Sequence, residues 1–199
     1  MIKALIACEF SGVVREAFNS YHGVHAISCD LLPPEDGRTD YHYQGDVKDI
    51  IKDGWDLLIA FPPCTFLANS GVRHLYIDGK KKNGIDGVRW AEMQNASHFF
   101  NFLLDAPIKY KRLENPIQHG HARKLIRKYD QIIQPYQFGH MEQKSTCLWN
   151  INLPTLKPTK NVYDDMMMLP KNERERVHYE SPSDTRWVER SRTLPGIGN

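Results

Sequence analysis

Ile2-Lys3-Ala4-Leu5-Ile6-Ala7-Cys8, followed at once by Glu9-Phe10-Ser11-Gly12, is the stretch on which the fold turns. A near-continuous apolar run of this length is the pattern of a strand covered on both faces. A glycine turn then leads into Val13–Tyr21, where apolar residues recur at helical spacing. Strand, turn and helix in that order open a βαβ unit. The same alternation continues outward. His25–Cys29 predicts a second strand ending in Asp30, Gln44-Gly45-Asp46 opens a short helix over Val47–Lys52, and Asp56–Phe61 is a third strand. Arg89–Asp105 carries Trp90, Met93, Ala96, Phe99, Phe100, Leu103 and Leu104 at helical spacing and predicts a well-packed helix. Tyr110–Leu113 reads as a strand, Gly120–Lys128 as a basic helix, and Ile132–Phe138 and Ser145–Asn150 as strands. The expected class is α/β, a mostly parallel sheet with helices on both faces, spanning residues 1–152. From Leu153 the chain becomes polar and is punctuated by Pro154, Pro158, Pro170, Pro182 and Pro195. Residues 153–199 are therefore expected to be an extended segment, with a short helix or two, packed on the first unit.

Bulk properties exclude several classes. The 199 residues suit one domain with a proper core, and 41% hydrophobic with 25% charged residues is ordinary for a globular chain. A net charge of +2 neither demands nor excludes a polyanionic partner. Apolar runs such as Leu57–Phe61 fall far short of the roughly 20 residues of a membrane span. The start reads straight into a strand with no signal-peptide pattern, so a cytoplasmic location is expected. Cys8, Cys29, Cys64 and Cys147 form no Cys-x-x-Cys pair, which argues against zinc and against a disulfide framework. Three of them read as small buried hydrophobes; Cys64, after Pro62-Pro63 at a strand exit, stands apart.

In parallel sheets, ligands collect beyond the carboxyl ends of the strands. Cys8-Glu9-Phe10, Asp30, Asp46, Pro63-Cys64 and Glu114-Asn115 all fall there. The Phe10-Ser11-Gly12 turn suits a nucleotide-like cofactor, with Asp30 placed for ribose hydroxyls and Asp46 for an adenine amino group. No Gly-x-x-x-x-Gly-Lys-Ser/Thr run exists, so a P-loop nucleotidase is excluded. Cys64 is a nucleophile candidate, with Arg73 or Lys144 as cations to favour its thiolate and prolines to aim its sulfur. Glu114 can protonate a ring nitrogen and so make the neighbouring carbon electrophilic. A thiolate that adds to an electron-poor pyrimidine beside an acid that protonates it is one coherent chemistry. The plain alternatives are a proline turn with an inert thiol and a Glu-Asn-Pro turn that merely ends a strand.

The ordered set Phe10-Ser11-Gly12, Asp30, Asp46, Pro62-Pro63-Cys64 and Leu113-Glu114-Asn115 resembles the cytosine-5 DNA methyltransferases, especially short phage-encoded relatives. The resemblance covers roughly residues 1–150. It implies a Rossmann-like fold that uses S-adenosyl-L-methionine, with Cys64, Glu114 and Asn115 as catalytic residues: Cys64 attacking carbon 6 of cytosine and Glu114 engaging ring nitrogen 3. It implies a cofactor site of Phe10, Ser11, Gly12, Asp30, Leu31, Asp46, Val47 and Pro62. Pro63, Ser70 and Lys144 are implied on the substrate side. The chain departs from the family in Val13-Val14 at the turn, Cys8 where Asp is common, and Pro116 after Glu-Asn. Glu142-Gln143-Lys144-Ser145-Thr146 stands where a Gln-x-Arg-x-Arg segment is usual. Only Leu153–Asn199 is present where a larger target-recognition domain is usual, and Pro195–Asn199 is similar to the family's last motif.

The implied partner is DNA, double- or single-stranded, with no membrane and no metal. A DNA enzyme flips its base and tracks the backbone with cations. Candidates are Lys80, Lys81, Lys82, Arg123, Lys124, Arg127, Lys128 and the Arg-rich tail. The segment Ile77–Gly84 reads either as a solvated loop or as a mobile one that meets phosphates. The competing readings are a counter-defence module that binds nucleic acid or cofactor without turnover, and an enzyme acting on a free cytosine nucleotide. An amino-methyltransferase is disfavoured, because Phe61 and Cys64 flank Pro62-Pro63 where that class carries a polar residue and an aromatic.

Overall fold

The computed structural model describes residues 1–179. Its strands are β1 (Ile2–Ala7), β2 (Val24–Asp30), β3 (His42–Gln44), β4 (Leu57–Ala60), β5 (Tyr110–Pro116), β6 (Gln131–Ile133) and β7 (Thr146–Ile151). They form one sheet in the order β3-β2-β1-β4-β5-β7-β6. Neighbours from β3 through β5 pair in parallel, and β7 runs antiparallel between β5 and β6. The helices are α1 (Val13–Asn19), α2 (Val47–Ile50), α3 (Gly87–Leu104), α4 (Tyr163–Met167), α5 (Lys171–Arg174) and α6 (Arg176–Tyr179).

Side-chain alternation along β1 explains why helices lie on both faces. Ala4 and Ile6 point to the side where Val14 of α1 packs with Ala26 and Ile59. Leu5 and Ala7 point to the other, joining Leu58 and Ala60 with Met93, Phe100 and Leu103 of α3. The expected α/β class with a mostly parallel sheet covered on both faces is the fold. The chain leaves β1 toward β2 and β3 on one side and later builds β4 and β5 on the other. The carboxyl ends of β1 and β4 therefore flank the point where strand order reverses.

Two expectations need correction, and one strand was not expected. Gly120–Lys128 is not a helix: a single 3-10 turn, Ala122–Lys124, forms instead. The Asn101 side chain takes the Leu125 carbonyl at 2.9 Å, and only Ala122 and Ile126 are buried, so little drives a longer helix. Ile132–Phe138 is a strand only to Ile133; Pro135, which has no N–H for a ladder, starts a 3-10 turn boxed by Gln134 and Gln137. β3 was not anticipated. It is a short, largely exposed edge strand that follows a 3-10 turn and has no apolar period to betray it.

Beyond β7, the Gln131 side chain holds both backbone groups of Leu156 at 2.7 and 2.8 Å, and Met166 of α4 is fully buried. No described helix is long and apolar enough to cross a membrane. The tail arginines and the Pro195–Asn199 motif lie outside the described residues.

The largest fully buried side chain among the described residues is Trp149, set edge-on to Phe100 at 4.8 Å, with its indole N–H donated to the Arg127 carbonyl at 2.7 Å. Trp149→Ala should cost about 3–5 kcal/mol, the range for emptying a buried aromatic site. Urea unfolding followed by circular dichroism measures it, and a cost below about 1 kcal/mol would contradict this packing.

Candidate active site

The first turn is built around a buried acid and a buried cation. Glu9 is 5% exposed; its Oε1 accepts from the Ser11 hydroxyl at 2.6 Å and the Val14 amide at 3.4 Å. Its Oε2 has no hydrogen-bond partner among the described residues. Burial pushes the Glu9 carboxyl up, and the Ser11 and Val14 bonds pull it partly back. Gly12 sits at φ +76°, and a Cβ there would come within 2.5 Å of both Arg15 Nη2 and Asp36 Oδ2. Glycine is therefore demanded by its neighbours as well as by its backbone.

Those neighbours are a latch. Arg15 is fully buried, donates to Ser28 Oγ at 2.9 Å and pairs with Asp36 and Glu16. Arg38 pairs with Glu16 in turn. The Glu35 amide donates to the Phe10 carbonyl at 2.9 Å. The loop after β2 is thus tied to the turn after β1.

Asp30 ends β2, accepts from the Leu32 amide at 3.0 Å, and has its carboxyl raised by burial. Leu31 beside it is 73% exposed. Asp46 caps α2 by accepting from the Lys48 amide at 3.0 Å, which gives it a structural duty beyond the one expected. Val47 turns its side chain into the core. Burial, reinforced by the negative charges of Asp30 and Asp46, pushes the Cys8 thiol far up and the Cys29 thiol up to about 12. Both thiolates are thereby disfavoured, and both carboxylates lie near them; Cys29 is buried as expected, whereas Cys8 is only half-buried. The edge formed by β1, β2 and the loop into α2 is acidic, with Phe10 at its rim. Such a donor set fits a ligand that carries hydroxyls, an amino group and positive charge.

The other half of the site lies across the switch point. Ala60 of β4 is in register with Leu113 of β5, so Glu114 is the first residue past that pairing, and Cys64 lies four residues past Ala60. Glu114 is held in the antiparallel ladder opposite Leu148 and is half-buried. Burial raises its carboxyl, opposed by the Lys144 charge and a hydrogen bond with Thr146. Lys144 thus belongs beside Glu114. Asn115, 1% exposed, donates its amide to the Pro62 carbonyl at 2.8 Å. It reaches the cysteine turn through the backbone. Pro62 is buried, Pro63 and Ser70 are exposed, and Cys64 is half-buried.

Arg73, expected near the thiol, donates to His74 at 3.3 Å. The Ile77–Gly84 loop is ordered as two 3-10 turns, Ile77–Gly79 and Lys81–Asn83, closed by the Tyr76–Ile85 bridge, with Lys80, Lys81 and Lys82 exposed. No cluster of metal-ligating side chains exists among the described residues.

Sequence reading placed Glu9 at the ligand edge without giving it a role, and it missed the Arg15–Asp36 latch. An acid within an apolar strand exit, and an arginine between Val14 and Phe18 on one helix, were the available signals.

A carboxyl whose pKa is higher in the native chain than in the unfolded one stabilises most below its unfolded value. It loses that contribution as pH rises through the native value. Glu114→Gln should therefore gain stability on the wild type when urea unfolding at about pH 8 is compared with about pH 5. An identical difference at the two pH values would contradict the raised carboxyl.

No protein-family model matches the chain, and no curated protein matches it by sequence. Among the solved structures similar to it are two described as methyltransferases. One is an E. coli protein encoded within a prophage and described as a DNA modification methyltransferase, 16% identical, with a TM-score of 0.45 over 86% of this chain and 56% of that one. The other is the Entamoeba histolytica methyltransferase EhMeth, 15% identical, with a TM-score of 0.48 over 93% of this chain and 64% of that one. The chain spans less than two thirds of either, and the likeness is one of fold.

Proposed function

We propose that the protein transfers a methyl group from S-adenosyl-L-methionine to carbon 5 of a cytosine in DNA, with Cys64 as covalent nucleophile and Glu114 as acid. The observation that carries this reading is the pairing of the two limbs: Cys64 and Glu114 leave adjacent parallel strands at one edge, and Asn115 ties them together. S-adenosyl-L-methionine, when bound, supplies an electrophilic methyl group. The acidic edge of Glu9, Asp30 and Asp46 with Phe10 would hold its adenosine and its positive charge.

Cys64 Sγ forms a bond to carbon 6 of the ring while Glu114 delivers its proton to nitrogen 3. The carbon 5–carbon 6 π pair is thereby made available at carbon 5. Burial raises the Glu114 carboxyl and so favours the protonated form that this step requires. After transfer, water takes the carbon 5 proton, its electron pair re-forms the carbon 5–carbon 6 double bond as Cys64 leaves as thiolate, and nitrogen 3 returns its proton to Glu114. Exposed Lys80, Lys81 and Lys82 suit contacts with the DNA backbone.

Radiolabelled methyl transfer to duplex DNA tests the reading. Cys64→Ser should abolish transfer. Glu114→Gln should leave cofactor affinity nearly unchanged but slow turnover roughly 10²–10⁴-fold, the usual contribution of a positioned acid. Full activity in Cys64→Ser would refute the nucleophile. By calorimetric titration, Asp30→Asn should weaken cofactor binding about tenfold or more, the loss of a charge-assisted hydrogen bond. Unchanged affinity would move the adenosine elsewhere.

A further inference from the structure

The backbone that follows Cys64 is fastened to the backbone that follows Glu114. The Asn69 amide donates to the Ile117 carbonyl at 2.8 Å, the His119 amide to the Leu67 carbonyl at 3.0 Å, and Ala68 forms an antiparallel bridge with Gln118. The His119 side chain completes the clasp. It is 2% exposed, its Nε2 lies 3.0 Å from the Phe66 carbonyl, and its Nδ1 lies 3.2 Å from the Ala122 amide. A carbonyl can only accept and a backbone amide only donate, so the ring is neutral with its proton on Nε2. Burial lowers the basicity of this imidazole, which favours the same neutral form; the nearby His121 lowers it further, against the Phe66 bond. On the far side, Arg89 of α3 donates to the Thr65 carbonyl at 3.2 Å and lies over the Phe66 ring at 4.2 Å. The Cys64 carbonyl itself accepts from the Leu67 and Ala68 amides at 3.0 and 2.9 Å. Every carbonyl from Cys64 through Leu67 is therefore held.

We propose that His119 is a positioning residue for Cys64: its ring pins the thiol's limb to the acid's limb, so that sulfur and carboxyl are presented as one rigid unit. The inference rests on the functional reading above, because the unit matters to the extent that sulfur and carboxyl act on one base. It adds a residue that touches neither cofactor nor cytosine. Displacement of a reacting group by about 1 Å can cost 10²-fold in rate, so a pin of this kind has kinetic weight without contact with substrate.

Two substitutions separate its two bonds. His119→Gln places an amide nitrogen where Nε2 lies and keeps the donor to Phe66. His119→Asn keeps an oxygen near Nδ1 for Ala122 but cannot reach Phe66. Both are compared with wild type, after thermal unfolding shows them folded, by amide hydrogen exchange at Leu67 and Ala68 and by single-turnover methyl transfer. Expected for His119→Asn are faster exchange at both amides and a transfer rate lower by about 10- to 100-fold, with cofactor affinity unchanged. His119→Gln should restore both. A merely structural residue would give losses that follow thermal stability in the two variants alike, and that pattern overturns the proposal. Equal exchange and equal rates in His119→Asn and wild type also overturn it while leaving the methyltransferase reading intact. A wild-type protein that transfers no methyl group refutes that reading, and the catalytic role of the pin with it.

Discussion

A single buried hydrogen bond, from the Asn115 amide to the Pro62 carbonyl at 2.8 Å, joins the exits of β4 and β5 after their ladder has ended. Without it, the exits of β4 and β5 would be joined only further along the chain, by the Asn69–Ile117 and Leu67–His119 backbone bonds. A bond of this kind in a nearly solvent-free position stabilises by about 1 kcal/mol net, and leaving its acceptor unpaired would cost more. Its larger consequence is geometric. The turn that bears Cys64 and the strand end that bears Glu114 become neighbours by construction, and the segments beyond them can close into the clasp sealed by His119.

The two halves of the site are stabilised differently. On the β1–β2 side, charges do the fastening. Arg15, fully buried, draws Ser28, Asp36 and Glu16 around it, and Gly12 packs too closely on this group to carry a side chain. A buried cation without its partners would be strongly destabilising, so the latch ties the loop after β2 to the turn after β1. On the β4–β5 side, backbone carbonyls are held by neutral donors and one guanidinium. Charged groups gather at the exits of β1 and β2, and mostly neutral donors fasten the exits of β4 and β5.

Much of this was legible in the sequence, and the exceptions have physical causes. β1 and β4 announce themselves because strands buried on both faces are apolar almost throughout, and α3 because its core stripe repeats at helical spacing. β3 and the Gly120–Lys128 segment were misread because exposed edges and short turns leave no period to count. Asp46 was read as a ligand to a cofactor, yet its position before Val47-Lys48 equally marks a helix cap, a duty that local reading cannot rank against the other. The clasp was invisible for a different reason. Pro62 with Asn115 and Phe66 with His119 each meet across 53 residues of chain, and no local pattern encodes such a contact. Candidate site residues could be proposed from their order, but the bonds that hold their backbones could not.

The central claim is that Cys64 attacks carbon 6 of a cytosine. Intact-protein mass spectrometry tests it most directly, after incubation with S-adenosyl-L-methionine and a DNA duplex that carries 5-fluorocytosine. Fluorine cannot leave carbon 5 as a proton, so the adduct cannot resolve once methyl has been transferred. The account predicts a mass gain of one oligonucleotide that maps to the peptide containing Cys64. Methyl transfer to ordinary cytosine with no covalent complex on the fluorinated duplex, or an adduct at another residue, would contradict it.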